Sequence, residues 1–191
     1  MTIINIRGTS GSGKSTLIRK VLENYGAKTA YKEEGRKQPI GYVYKHKNPE
    51  LPSLAVIGHY ETPCGGCDTI PNMEKIFSLV REAHKAGHDV IYEGLLISAD
   101  IKRTAELLAE GLPLIIVALS TPIELCLESI NLRRRAKDPN KPDVPAKNTI
   151  SKHKGVQNSV KKLQALGARV AWCDRNVALQ TIVAELKAWN K

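Results

Sequence analysis

Apolar and polar positions along the chain alternate between two kinds of run. Short, nearly continuous apolar stretches cover Thr2 to Arg7, Leu54 to Tyr60, Asp89 to Leu96, Leu112 to Leu119 and Arg169 to Cys173. Runs of this kind suit parallel strands buried on both faces. Gly41 to His46 is a further strand, separated from Leu54 by the turn-forming Asn48-Pro49-Glu50-Leu51-Pro52-Ser53, and fits a hairpin insert. Between these runs the apolar positions fall at helical spacing. The clearest case is Met73 to Ala86, with Met73, Ile76, Phe77 and Val80 on one face and Gly87 as a C-terminal cap. Ser15 to Glu23, Ala99 to Ala109, Pro122 to Leu132, Thr149 to Leu166 and Val177 to Trp189 read as further helices. Asp138 to Pro145 holds Pro139, Pro142 and Pro145 and is excluded from regular helix.

Strand-helix alternation without an internal repeat predicts one α/β domain over residues 1–191. Its core is a doubly wound, mostly parallel five-stranded sheet. Ligands of such sheets bind beyond the carboxyl ends of the strands. The turn after the first strand reads Gly8-Thr9-Ser10-Gly11-Ser12-Gly13-Lys14-Ser15-Thr16, a phosphate-binding loop in the position that makes the motif specific: after an apolar strand and opening a helix. Its glycines let backbone N–H groups turn onto the phosphates of ATP or GTP. Lys14 is placed to neutralise β and γ oxygens, and the Ser15 hydroxyl to bind Mg²⁺. This loop predicts a P-loop NTPase fold.

Composition narrows the setting. Of the 191 residues 42% are hydrophobic and 25% charged, the balance of a globular domain, and no apolar run approaches the ~20 residues that cross a bilayer. The chain opens on a strand without a leader-like segment, so the expected location is the cytoplasm and the four cysteines are expected as free thiols. The net charge of +10 is unevenly spread: residues 131–162 carry 10 Lys and Arg against 2 Asp and Glu, whereas residues 1–130 carry 15 of each. Charge concentrated in this way points to an anionic partner larger than one nucleotide, or to a phosphate-binding lid with a solvated basic face. The lid falls at about 131–155.

Three other segments carry candidate chemistry. Glu93, at the end of an apolar run, is placed to hold Mg²⁺ directly or through water, or to take a proton. His59-Tyr60-Glu61-Thr62-Pro63-Cys64-Gly65-Gly66-Cys67-Asp68-Thr69 follows a long strand, where a phosphotransferase holds its acceptor. Asp68 is the first choice of base for an acceptor hydroxyl and Glu61 the second; Tyr60 is either a stacking platform or a core tyrosine. The C-x-x-C pair of Cys64 and Cys67 admits zinc with His59 as a third ligand, thiol redox chemistry, or a tight Gly65-Gly66 turn against substrate. A structural zinc site needs four ligands, which favours the turn. In the basic segment, Arg133, Arg134 and Arg135 are candidates to stabilise the transferring phosphoryl group. Three successive helical residues span about 200°, so at most two can face it. Asn148 and Lys152 lie in a lysine-flanked helix start suited to phosphate.

Taken together, Gly8 to Ser15, the segment His59 to Thr69, Tyr92-Glu93-Gly94 and Asn148-Thr149 resemble the P-loop kinases of the nucleoside and nucleotide kinase superfamily over most of the chain. More narrowly they resemble the bacteriophage 5-hydroxymethyluracil DNA kinases. That resemblance implies transfer of the γ-phosphate of ATP to the hydroxymethyl group of a modified thymine in DNA. It implies ATP and Mg²⁺ on Gly8, Gly11, Gly13, Lys14, Ser15 and Thr16, and a lid role for Arg133 to Arg135. Glu93 stands where many relatives carry Asp. Two other readings stay open: a kinase of a free nucleoside or nucleoside monophosphate, and a P-loop ATPase that binds nucleic acid without modifying it.

Overall fold

In the computed structural model the described residues are 1–62 and 65–188. The chain runs β1 (Ile3–Arg7), α1 (Lys14–Leu22), β2 (Tyr25–Tyr31), β3 (Gly41–His46), β4 (Leu54–Ile57), a 3₁₀ turn (Cys67–Thr69) and α2 (Met73–Lys85). It continues through β5 (Asp89–Glu93), α3 (Leu95–Ala99), α4 (Lys102–Ala109), β6 (Leu114–Leu119), α5 (Ile123–Lys137), α6 (Ala146–Ala165), β7 (Arg169–Cys173) and α7 (Arg175–Ala188).

The sheet has seven strands in the order β2-β3-β4-β5-β1-β6-β7 rather than the expected five. The five from β4 to β7 are parallel, while β3 pairs antiparallel with β4 and β2 antiparallel with β3. The additional strand β2 left no pattern to read, because as the sheet edge it buries only Tyr25 and leaves nearly all its other residues exposed. β1 sits centrally, between β5 and β6, so the chain reverses its direction of winding beside it. The crevice at that switch point lies at the carboxyl end of β1, where the Gly8 loop begins.

Alternation along the strands sends side chains to two helical layers. On one face Ile4, Ile6, Leu54, Val56, Ile91 and Val117 pack with Leu17, Ile18 and Val21 of α1 and Ala178 and Ile182 of α7. On the other, Ile3, Ile57, Val90 and Tyr92 meet Ile76, Phe77 and Val80 of α2, and Ile116 and Ala118 meet Val160 and Leu163 of α6. Burying one such Leu, Ile or Phe contributes about 1.5–3 kcal/mol.

Arg7, the last residue of β1, is fully buried. Its guanidinium donates to Asn5 Oδ1 at 2.6 Å, Thr104 Oγ1 at 2.6 Å, Asp100 O at 2.8 Å, Ser159 Oγ at 3.2 Å and Ser98 O at 3.3 Å. Burial lowers its pKa to about 10, so it stays charged at neutral pH. This network ties the root of the Gly8 loop to α3, α4 and α6.

Several element boundaries differ from the sequence reading. The strand read as Asp89 to Leu96 ends at Glu93, and Leu95–Ala99 is helical. An apolar run of that length has no period that separates strand from buried helix, and it is Asp68, from 27 residues upstream, that caps the helix. β4 stops at Ile57, where Gly58 turns the chain at φ +93° and donates its N–H to Ile40 O. α5 continues five residues past Leu132, so Arg133 to Arg135 are helical. α6 starts at Ala146, directly after Pro145, which leaves Asn148 and Thr149 inside its first turn rather than capping it. Trp189, read as the end of the last helix, lies outside the described residues. Among the described residues no helix is long and apolar enough to cross a membrane.

Candidate active site

The loop between β1 and α1 folds over the carboxyl end of the sheet and forms the floor of a cavity of about 1110 Å³. Ser10, Gly11, Gly13, Lys14, Ser15 and Thr16 line it; Gly8 and Ser12 sit beneath. Gly11 takes φ +80°, and a Cβ there would collide with the carbonyl of Cys126 on α5, so α5 can approach the loop only because this residue is glycine. Gly8 is anchored from below, its N–H donating to Ser98 Oγ at 3.2 Å.

Lys14 and Glu93 face each other across the floor. The ammonium donates to Gly8 O at 2.8 Å and Thr9 O at 3.2 Å and lies 3.9 Å from Glu93 Oε2. Burial pulls the Lys14 pKa down, opposed chiefly by the charge of Glu93, and burial pushes the Glu93 pKa up, opposed by Lys14 and by Ser15. The Ser15 hydroxyl donates to Glu93 Oε1 at 2.6 Å. An alcohol and a carboxylate directed at one point, next to a phosphate loop, are the hard oxygen donors a magnesium ion selects.

Asp68 lines the same cavity. Both carboxylate oxygens accept from Leu95 N at 2.9 Å, and Oδ1 also accepts from Leu96 N at 3.4 Å, which pins the carboxylate on the first turn of α3. A carboxylate has about four acceptor positions, so this anchoring leaves capacity for a hydroxyl proton. Gly65 is a lining residue as well, and Gly66 packs against Glu93.

Among the described residues His59, Tyr60, Glu61 and Cys67 do not line the cavity, whereas Thr69 does. Tyr60 is a core residue on the α1 side of the sheet, 7% exposed, and its phenol pKa is raised by burial, so the stacking-platform reading is corrected. His59 is buried, holding Gly66 N on its carbonyl at 2.8 Å, with Nδ1 3.6 Å from Glu61 Oε2. Glu61 is outside the cavity lining and pairs at 2.8 Å with Lys28 of β2. Burial pushes its carboxyl up, but hydrogen bonds from Lys28, Tyr42 and its own backbone outweigh that and hold it at about 2. Its stabilising effect is therefore complete above the ordinary glutamate range and fades as pH falls from there towards 2. Replacing Glu61 with Gln should flatten the acid limb of an unfolding-versus-pH curve in that window, measured by circular dichroism.

The Cys67 thiol is buried and donates to Ile57 O at 3.6 Å; Cys64 lies outside the described residues. Among the described residues no group of three His, Cys, Asp or Glu is placed to hold a metal, and Cys67, Cys126 and Cys173 are free. Asn148 and Lys152 are exposed on α6 and do not line the cavity.

α5 closes the other side. Arg133 and Arg134 line the cavity, while Arg135 turns away to Asp143 at 2.8 Å, the division that helical geometry requires. Two lining arginines were not anticipated. Arg175 opens α7 and donates to Gly11 O at 2.7 Å and Ser12 O at 3.1 Å, bracing the phosphate loop from outside. It follows a parallel strand, the same positional rule that singled out Asp68. Arg19 lies one helical turn after Ser15, on the same face, and donates to Tyr60 O at 3.2 Å and Thr62 O at 2.7 Å.

A phosphate loop at the switch point, a buried Lys–Glu pair across it and arginines above it are the working parts of a P-loop kinase. Among solved structures the fold resembles a chain of the PezAT toxin–antitoxin system of Streptococcus pneumoniae, with a TM-score of 0.53 at 19% identity over 92% of this chain and 69% of that one. It also resembles deoxyadenosine kinase from M. mycoides with bound dATP, with a TM-score of 0.51 at 14% identity over 97% of this chain and all of that one. No family model matches the chain. It is 50% identical over 186 residues, 97% of both chains, to the 5-hmdU DNA kinase of Pseudomonas phage PaMx11, and 29% identical to that of Pseudomonas phage M6 over 98% of this chain and 97% of the relative. The chain belongs to the phage 5-hmdU DNA kinases.

Gly66 exposes the tolerance of this site to error. It takes φ +76°, and a Cβ there would lie 2.6 Å from Glu93 Oε1 and 2.8 Å from the Glu93 carbonyl. Gly66→Ala is expected to displace the Glu93 carboxylate and lower phosphoryl transfer roughly 10²-fold, the cost of about 1 Å of misplacement, as read in steady-state assays at saturating nucleotide.

Proposed function

We propose that the chain transfers the γ-phosphate of ATP to the hydroxymethyl oxygen of 5-hydroxymethyluracil in DNA, in the cytoplasm of the infected host. The acceptor oxygen attacks the γ-phosphorus, the bond to the β–γ bridging oxygen breaks, ADP departs, and the hydroxyl proton passes to the Asp68 carboxylate. Asp68 meets the acceptor because α3 fixes its carboxylate at the cavity wall. Lys14 and the N–H groups of Gly11 to Ser15 hold the phosphates, and Arg133 and Arg134 offset the charge that spreads over the transferring group. Ser15 and Glu93 would hold Mg²⁺, which supplies further neutralisation of the β and γ oxygens when bound.

The observation that carries this reading is the convergence of Lys14, Glu93 and Asp68 on one cavity in a chain half identical to a 5-hmdU DNA kinase. Incubation with γ-labelled ATP and either hydroxymethyluracil-containing DNA or the free nucleoside and its monophosphate tests it. Label is expected in the DNA. Label confined to the free nucleoside or nucleotide would replace the DNA acceptor with a small one.

A further inference from the structure

We propose that the solvent face of α6 is a rail for the DNA sugar-phosphate backbone, made by Lys147, Lys154 and Lys161. This rests on the DNA-acceptor reading and locates the surface that reading needs. α6 (Ala146–Ala165) contains no Asp or Glu over its 20 residues. Its buried positions, Thr149, Val156, Ser159, Val160 and Leu163, define one face. Lys147, Lys154 and Lys161 recur every seven residues, which keeps them within about 40° of one another on the opposite face. All three are exposed, and none makes an ion pair among the described residues.

The spacing decides what kind of anion fits. Successive lysines are about 10 Å apart along the axis and the set spans about 21 Å. No single phosphate group can engage all three, because the outer two are farther apart than two extended lysine side chains can span. A duplex rising about 3.4 Å per base pair presents phosphates along that whole length. Lysine, a point charge on a flexible stem, suits backbone contact that is independent of sequence.

The helix that bears the rail also adjoins the site. Ser159, on the inner face of α6, donates to Ser98 O at 2.6 Å, and Ser98 closes the short helix whose first N–H groups hold Asp68. The helix that carries the rail is therefore packed against the element that anchors the acceptor carboxylate. The charge surplus of residues 131–162 thus has two uses: Arg133, Arg134, Lys137 and Lys141 face the cavity, and the α6 lysines face outward.

The test compares full-length wild type with Lys147→Gln/Lys154→Gln/Lys161→Gln. The control, Lys45→Gln/Lys47→Gln/Lys85→Gln, loses the same charge at the opposite end of the sheet. Affinity for a hydroxymethyluracil-containing duplex is measured by fluorescence anisotropy against salt, with γ-phosphate transfer to the same duplex recorded in parallel. At roughly 0.9 per phosphate contact, the log–log salt slope of the rail variant is expected to fall by about 2.7, shrinking the affinity loss between 50 and 200 mM salt by about 40-fold. The control should keep the wild-type slope. Equal slopes for rail variant and wild type, with wild type still phosphorylating DNA, would overturn the rail and leave the DNA reading intact. Equal slope losses in rail and control variants would overturn it as a mere effect of net charge. Wild type that neither binds nor phosphorylates the duplex would overturn both.

Discussion

Lys14→Ala is expected to lower γ-phosphate transfer by roughly 10³-fold or more, about 4 kcal/mol of transition-state stabilisation, with the fold retained. The ammonium is the buried positive charge nearest the glycine-rich loop, positioned by Gly8 O and Thr9 O rather than by solvent, so no mobile side chain can substitute for it without reorganisation. The substitution also removes the counter-charge of Glu93, which is 2% exposed. Burial already raises the Glu93 pKa, and without Lys14 it should rise further. A glutamate whose folded pKa lies above its unfolded value stabilises the fold fully at low pH and loses that contribution as pH climbs through the folded pKa. Thermal unfolding of Lys14→Ala should therefore fall with rising pH, from the ordinary glutamate range upwards, more steeply than wild type. A variant that keeps near-normal turnover would refute the phosphate assignment of the loop.

Asp68→Asn separates chemistry from scaffolding. The amide oxygen can still accept from Leu95 N, so α3 should keep its anchor, but the side chain can no longer take the acceptor proton. Turnover is expected to fall between 10² and 10⁴-fold, with KM for ATP within about twofold of wild type. Asp68→Ala should add a loss of about 1 kcal/mol in stability, because the first N–H groups of α3 then lack their acceptor. If Asp68→Asn turns over normally while Glu93→Gln does not, the base is Glu93. An effect chiefly on ATP binding would instead make Asp68 part of the donor site.

The sequence pattern located most of this architecture because most of its elements bury apolar residues at a readable period. The five parallel strands announce themselves by continuous apolar runs, and the phosphate loop by glycines at positions that a Cβ would obstruct, as Gly11 does against Cys126. β2 escaped notice for the converse reason: its exposed residues carry no alternation. Within the acceptor segment, Tyr60, Glu61 and Asp68 are close in sequence and similar in promise. Nothing local says that Tyr60 turns into the core, that Glu61 is taken by Lys28 from the hairpin, or that only Asp68 reaches the cavity. Each outcome depends on a partner 27 to 33 residues away or on the opposite layer of the molecule.

Local chemistry therefore determined most of the elements and the phosphate loop, since a strand, a glycine-rich turn and a helix in succession bring the loop N–H groups together whatever surrounds them. Tertiary packing decided the rest. It set Glu93 against Lys14, gave Asp68 its place through two backbone N–H groups of α3, and recruited Arg175 from the far end of the chain to brace the loop. It also divided one block of basic residues between a cavity and an outer helix face. Interactions between residues distant in sequence leave no periodic trace along the chain, and such interactions hold Glu93, Asp68 and Arg175 of the candidate site.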